Sequence, residues 1–392
     1  MLKTDILIAG AGPAGTACAL RLMQLKQQCL LVDSQNFPRN KLCGGLLTQK
    51  ANKAFQSILS KEDFEKFCAE STSSIENKIK LYWGLEKFAE FQTIEPIRLV
   101  ERFKMDNWLF QHYKKIGGEA IEGDGINTVD FDNRIAKLSS GKEIQYNYLV
   151  VADGANSRVK QLLAKGKKDF EAILPNILYF EVNVDKEDFP NAKDVNIYYN
   201  IVKDLYSWVF SKGDKVCIGI GKYLNSSIDG KKIILNFMKN LGVKNIDKYP
   251  IMGAMSYINL YQKVVWKKHI LMVGDAGCFI DPITGEGISF AAQTGIYAAE
   301  SIYEKNKNNS DIEKVYLSKI KPIYKLIKDG AVYYNLYRKS RLMKTISKIA
   351  GKKEKFLSYF YDERIDKGEL TPYWLIVLKY KLSKLFSKFT KK

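Results

Sequence analysis

The hexapeptide Gly10-Ala11-Gly12-Pro13-Ala14-Gly15 follows directly on the apolar run Ile6-Leu7-Ile8-Ala9, and it narrows the fold more than any other stretch of the chain. Each glycine has a separate use where a strand turns into a helix. Gly10 permits the tight turn, and Gly12 lets backbone approach a pyrophosphate. Gly15, with Ala19 four residues on, lets the helix pack close to the sheet. Pro13 and Ala14 open the helix, and the N–H groups of its first turn, from Ala14 onward because Pro13 has none, then form one wall of an anion site. Gln28 to Asp33 reads as a second strand, and Asp33 stands where a carboxylate can take ribose hydroxyls. The opening is a βαβ unit, which puts the chain in the α/β class with a Rossmann-like domain. By itself the hexapeptide does not separate FAD from NAD.

Two later stretches make that distinction. His269 to Gly274 reads as a strand that delivers Asp275, and a carboxylate at a strand end suits a ribityl hydroxyl of flavin. Pro282 to Ile288 is a loop in which Gly285-Glu286-Gly287-Ile288 opens a helix expected to reach about Lys305. Small residues there let backbone lie against a flat ring, and a helix N-terminus stabilises negative charge on reduced flavin. In mid-chain, the strand Tyr148 to Asp153 ends in Asp153-Gly154, followed by Ser157 and Arg158. That turn either braces the nucleotide site or is an Asx turn with no cofactor role. The three motifs together imply one non-covalent FAD per chain. Gly219-Ile220-Gly221 lacks a third glycine, so no separate nicotinamide domain is expected. Electrons must then come from a transiently bound donor, either NAD(P)H or a ferredoxin-like protein.

With 392 residues, 46% of them hydrophobic, the chain can bury a sizeable core. Six cysteines without metal-ligand spacing and only two histidines, His112 and His269, lead to the expectation of no metal. The histidines stand in apolar helix and strand contexts, away from a general acid or base role. No apolar run approaches the ~20 residues of a spanning helix. No signal peptide precedes the first strand, so the expected location is the cytoplasm.

Residues 49–69 read as a helix, as do Met105 to Ile116. Ile75 to Gln92 reads as strand pairs around Trp83-Gly84, and Tyr206–Phe210 and Lys215–Gly221 as strands around Lys212-Gly213-Asp214. The expected organisation is a discontinuous FAD-binding domain of residues 1–74, 97–168 and 266–310. A β-rich substrate domain, residues 75–96 and 169–265, is inserted in it, and residues 311–392 form a helical, basic C-terminal region.

Asp153–Val159 and Gly274–Ile288 resemble the p-hydroxybenzoate-hydroxylase-type flavoproteins, and two further stretches resemble the geranylgeranyl reductases among them. Phe37-Pro38-Arg39-Asn40-Lys41-Leu42-Cys43-Gly44-Gly45 is similar to their Pro-Arg…Lys-x-Cys-Gly segment. Tyr206-Ser207-Trp208-Val209-Phe210-Ser211-Lys212-Gly213-Asp214 is similar to their YxWxFPKGD strand and turn, with Lys203 and Ser211 where that family has prolines. Arg102-Phe103-Lys104-Met105-Asp106 fits their Arg-x-x-x-Asp segment, whose arginine meets the cofactor. The resemblance spans roughly residues 1–340. It implies reduction of isoprenoid C=C bonds, with a hydride from reduced flavin to one carbon and a proton to the other from Cys43, a tyrosine or water. It also implies that Arg39, Cys43 and Gly44 lie by the flavin. From the residues alone, Cys43 is either a thiol made reactive by Arg39 and Lys41 or a small apolar filler. Tyr206, Trp208 and Phe210 share one strand face and alone read as core; the resemblance makes them the wall of an apolar channel.

A monooxygenase or halogenase acting on an aromatic or quinone substrate is the alternative enzyme, although the halogenase Trp-x-Trp-x-Ile-Pro signature is missing. A non-catalytic flavin or lipid carrier is the alternative outside enzymes. The formal charge of +19 does not imply nucleic acid, since only nine of the 62 basic residues are arginine. Residues 338–392 alone carry a net +11. Within them, Leu375, Leu378, Leu382, Leu385, Phe386 and Phe389 share one helical face, with Lys381, Lys384 and Lys388 on another. This stretch is either a docked C-terminal helix or an amphipathic helix on an anionic membrane surface. The second reading places the protein peripherally on the inner face of the membrane, near a prenyl lipid substrate.

Overall fold

A computed structural model describes residues 1–165, 176–203, 205–256 and 263–339, arranged around two sheets. The first runs in the order β15 (Val265–Trp266), β16 (Ile270–Met272), β9 (Glu143–Val151), β1 (Leu2–Ala9), β2 (Cys29–Val32), β6 (Glu119–Ile121). From β16 to β6 all neighbours are parallel. Parallel strands are covered on both faces, which is why Ile6, Leu7, Ile8, Leu149, Val150 and Val151 are all fully buried. A hairpin of β7 (Ile126–Asp130) and β8 (Ile135–Leu138) adds antiparallel to β9. Helix α1 (Pro13–Gln24) packs against α7 (Ile288–Asn308). At their crossing a Cβ on Gly295 would collide with the Ala14 carbonyl. Helix α8 (Ile312–Lys339) is tied to the sheet by Tyr316, whose buried hydroxyl donates to Met272 O at 2.8 Å.

The second sheet runs β14 (Met252–Ser256), β10 (Ile177–Asp185), β13 (Lys215–Tyr223), β12 (Leu205–Lys212), β11 (Val195–Val202), β4 (Thr72–Trp83), β5 (Glu86–Val100), β3 (Leu46–Leu47). Only the β11–β4 pair is parallel. Alternation along the strands gives it two different faces. One packs Val182, Val209, Ile218 and Ile220 against Ile234, Phe237 and Met238 of α6 (Gly230–Asn240). The other gathers Ile79, Leu81, Phe91, Val195, Trp208, Phe210 and Cys217.

Two expectations change at this level. Residues 49–69 form not one helix but α2 (Gln49–Gln56) and α3 (Lys61–Ser71). The break comes from Ser60, whose hydroxyl accepts the Asp63 N–H at 3.1 Å as an N-cap. Helix α6 interrupts the span expected to be β-rich, where Asp229 caps it by accepting the Lys232 N–H at 3.1 Å. The helices α4 (Arg102–Lys115) and α5 (Arg158–Ala164) complete the described α-helices.

Candidate flavin and substrate site

The glycine loop is built so that only one of its glycines faces open space. Gly10 has φ +102°, and a Cβ there would collide with Ala152 O, while a Cβ on Gly15 would collide with Gly10 O. These two set the turn and the close approach of α1. Gly12 is different. A Cβ there would lie 3.5 Å from Arg39 Nη2 and 4.0 Å from Arg102 Nη2, so two guanidinium groups overhang it. No side chain caps α1, and no acid stands in its first turn, which leaves its positive end for a ligand.

Both arginines are held by Asp106, which is fully buried. Arg102 donates to it in a fork, Nε to Oδ1 and Nη2 to Oδ2, each at 2.7 Å. Arg39 Nη1 lies 3.2 Å from Oδ2. Burial opposes the charge on Arg102, but Asp106 outweighs it and holds the pKa above the ordinary arginine value. Asp33 accepts the Ala11 N–H at 2.7 Å and the Gln35 N–H at 2.9 Å, which ties the end of β2 to the glycine loop.

The later motifs converge on the same end of the sheet. Gly274 has φ +54° and starts a single 3-10 turn. Asp275, half-buried, points Oδ1 at Gly287, 3.4 Å from where a Cβ would stand. Its carboxylate accepts no hydrogen bond among the described residues. Asp153 accepts the Val159 N–H at 3.2 Å through Oδ2, while its Oδ1 is sealed from solvent and unpaired, and burial pushes its pKa up. Arg158 turns outward to the Asn127 carbonyl, 3.0 Å away. The inward cation is instead Lys160, 2% exposed, with Nζ 3.8 Å from Cys278 Sγ; burial lowers its pKa against the pull of Cys278, Asp153 and Asp275.

The loop before α7 rests on a buried ion pair that the motif reading passed over. Glu286 accepts from Lys50 Nζ at 2.7 Å, from Thr48 Oγ1 at 2.5 Å and from Ser289 Oγ at 2.7 Å. Lys50 is 1% exposed. Ile288 is buried in the first core. The one sequence signal was Glu286 itself, an acid between two glycines at a helix start.

Strand β12 brings its aromatic face onto this site. Tyr206 donates to Thr284 O at 2.8 Å, and a Cβ on Gly285, φ +68°, would collide with the Tyr206 hydroxyl. A Cβ on Gly44 would stand 2.7 Å from Phe210 and 3.4 Å from Trp208 Nε1. Trp208 lies across Gly219, where a Cβ would collide with its ring. Cys43 is half-buried, and the Gly45 N–H donates to its Sγ at 3.3 Å. Tyr179, not singled out from sequence, donates to Leu42 O at 2.8 Å. His112 and His269 lie elsewhere, the first stacked on Trp108 and the second bonded to Lys267 O.

A dinucleotide fits these residues. Gly12 lies open below two cations, the α1 N-terminus has no internal cap, and Asp275 and Asp153 each keep an unused acceptor.

Residues 4–189 match the model of the pyridine nucleotide-disulphide oxidoreductase family. The chloroplastic geranylgeranyl diphosphate reductase of Arabidopsis thaliana is 25% identical over 331 residues, covering 78% of this chain and 67% of the reductase. The digeranylgeranylglycerophospholipid reductase of Thermoplasma volcanium is 24% identical over 351 residues, 83% of each chain. Among solved structures, a geranylgeranyl bacteriochlorophyll reductase-like protein of Thermoplasma acidophilum superposes with a TM-score of 0.75 at 19% identity, covering 97% of this chain and 99% of that one. The glycine loop with its two overhanging arginines, the convergent strand-end acids and these relatives agree: the chain is an FAD-dependent oxidoreductase related to the geranylgeranyl reductases.

Proposed function

We propose that the protein saturates C=C bonds of an isoprenoid lipid. The observation that carries this is the aromatic face of β12, which closes over Cys43-Gly44 at one end and Thr284-Gly285 at the other. An apolar wall therefore abuts the backbone against which a flavin ring would lie, the arrangement an alkene without polar handles needs. The first sheet and its helices serve as the FAD-binding domain and the second as the substrate domain, with Leu46–Leu47 and residues 72–74 and 97–100 on the second sheet although the spans read from sequence gave them to the first domain.

Gly12, Pro13 and Ala14 would hold the diphosphate with Arg39 and Arg102. Asp33 would take ribose, and Asp275 the ribityl chain with Asp153 behind it. Gly285, Gly287, Ile288 and Gly44 would border the ring. Bound and reduced, FAD supplies the hydride. The chain supplies the rest: Tyr206, Trp208 and Phe210 exclude water and orient the alkene, and Cys43 holds the proton for the second carbon. Burial keeps the Tyr206 phenol protonated, well above its usual pKa, while it fixes the Thr284 carbonyl. A donor that binds transiently, NAD(P)H or a small electron carrier, would reduce the flavin.

Anaerobic mixing of the reduced protein with a panel of prenyl lipids and quinones tests this reading. Flavin reoxidation with product heavier by one H2 per bond is expected, and Cys43→Ser should slow it. Product that appears only with oxygen, in step with its consumption, would mark a monooxygenase. Bound FAD with no substrate-dependent reoxidation would mark a carrier.

A further inference from the structure

Two buried charges lie beside the Cys43 peptide group, and one of them is bonded to it. Glu181 on β10 and Lys212 on β12 are 2% and 4% exposed, on the sheet face otherwise filled by aromatic and aliphatic side chains. Stripping water from either is unfavourable unless a partner compensates. Lys212 Nζ donates to Cys43 O at 3.0 Å. The Glu181 carboxylate is coupled electrostatically to Lys212 first, then to the Cys217 thiol, the Cys43 peptide and the Asn183 amide. Its Oε2 has no hydrogen-bond partner among the described residues.

The rest of the turn is equally fixed. Tyr179 holds Leu42 O, Trp208 and Phe210 leave no room for a side chain at Gly44, and Val100 N donates to Gly45 O at 2.8 Å. Gly45 sits at φ +75°, where a Cβ would collide with Val100 O. Cys43 is thus the one side chain in Cys43-Gly44-Gly45, a run whose backbone is held at both ends.

We propose that Lys212 and Glu181 are positioning residues for Cys43: Lys212 holds its peptide carbonyl and the buried Glu181 on the neighbouring face balances that cation, so that the thiol is presented in one fixed orientation and electrostatic setting. This rests on the reductase reading only for what the thiol then does. The charged and titratable groups around Cys43 are Arg102 from α4, Tyr179 and Glu181 from β10, and Tyr206 and Lys212 from β12, with Arg39 and Lys41 on its own segment.

The test is the pH dependence of Cys43 alkylation by iodoacetamide in the FAD-loaded full chain, read by mass spectrometry of the Cys43 peptide. Lys212→Met removes a cation and should raise the alkylation midpoint; Glu181→Gln removes an anion and should lower it, each by about 0.5 pH unit or more. Lys212→Arg should restore the parent value. In turnover, both charge-removing variants should lose about five-fold or more in kcat with KM little changed. Unmoved midpoints in flavin-loaded Lys212→Met and Glu181→Gln would overturn the proposal. Should Glu181→Gln not fold, Glu181→Asp and Lys212→Met decide it on the same measurement. Because alkylation needs no substrate, shifted midpoints in a protein that reduces no prenyl lipid would leave the grip standing and remove the substrate reading.

Discussion

Asp106 holds both guanidinium groups that overhang Gly12, and it does so without touching solvent. Removing it strands two cations in low dielectric, so Asp106→Ala should cost about 3–5 kcal/mol of stability and weaken FAD binding as well. Thermal unfolding and flavin titration of the same variant check both halves. Asp153 behaves in the opposite sense. Its sealed, unpaired Oδ1 raises the folded-state pKa above the unfolded value of about 3.9. Such a group contributes fully below the unfolded pKa and loses its contribution as pH rises through the folded one. The melting-temperature gain of apoprotein Asp153→Asn over its parent should therefore grow as pH climbs above about 4. A gain that stays flat or shrinks over that range contradicts the assignment.

At the scale of elements, two close contacts decide where the flavin loops sit. Helices α1 and α7 meet at Gly295, whose missing side chain admits the Ala14 carbonyl. Gly295→Ala must push the helices apart at the turn that would face the diphosphate. A loss of FAD affinity larger than the loss of apoprotein stability is expected, by titration against urea unfolding. The second contact is Lys50–Glu286, which ties the start of α2 to the loop before α7. Lys50→Met leaves a buried carboxylate with two hydroxyl partners but no counter-charge, for a cost of about 3–5 kcal/mol. Adding Glu286→Leu should recover part of it, and the double-mutant cycle measures the coupling. The βαβ opening and the helix after Gly287 were legible because each pairs an apolar run with a turn of fixed chemistry. The break at Ser60 and the helix after Asp229 were legible only as caps, a signal that apolar counting passes over.

For the whole molecule, the charge distribution bears on where the reaction takes place. None of the described helices is long and apolar enough to cross a membrane. The basic stretch 373–389 lies outside the described residues, and its role is a matter of sequence: lysines beside an apolar face, with Tyr373 and Trp374 ahead of them. Flotation with anionic vesicles should recover the full chain and lose one ending at Gly368, each lysine near the surface contributing about 1 kcal/mol. Equal recovery of the two, or of neither, would remove the membrane role.

The sequence by itself determined the dinucleotide fold and the positions of its turns, because Gly10, Gly15 and Gly274 answer to local geometry. It also named Cys43, Tyr206, Trp208 and Phe210, through period-2 alternation and resemblance. Only the tertiary structure decided what those residues face. Asp106 gathers arginines from two segments, Glu286 finds Lys50 across more than two hundred residues of chain, and Lys212 on β12, with Glu181 on β10 beside it, reaches Cys43 across more than a hundred. A buried charge is recognised by its partner, and apart from Arg102, four residues before Asp106 on the same helix, the partner in each of these cases is remote in sequence and set by packing.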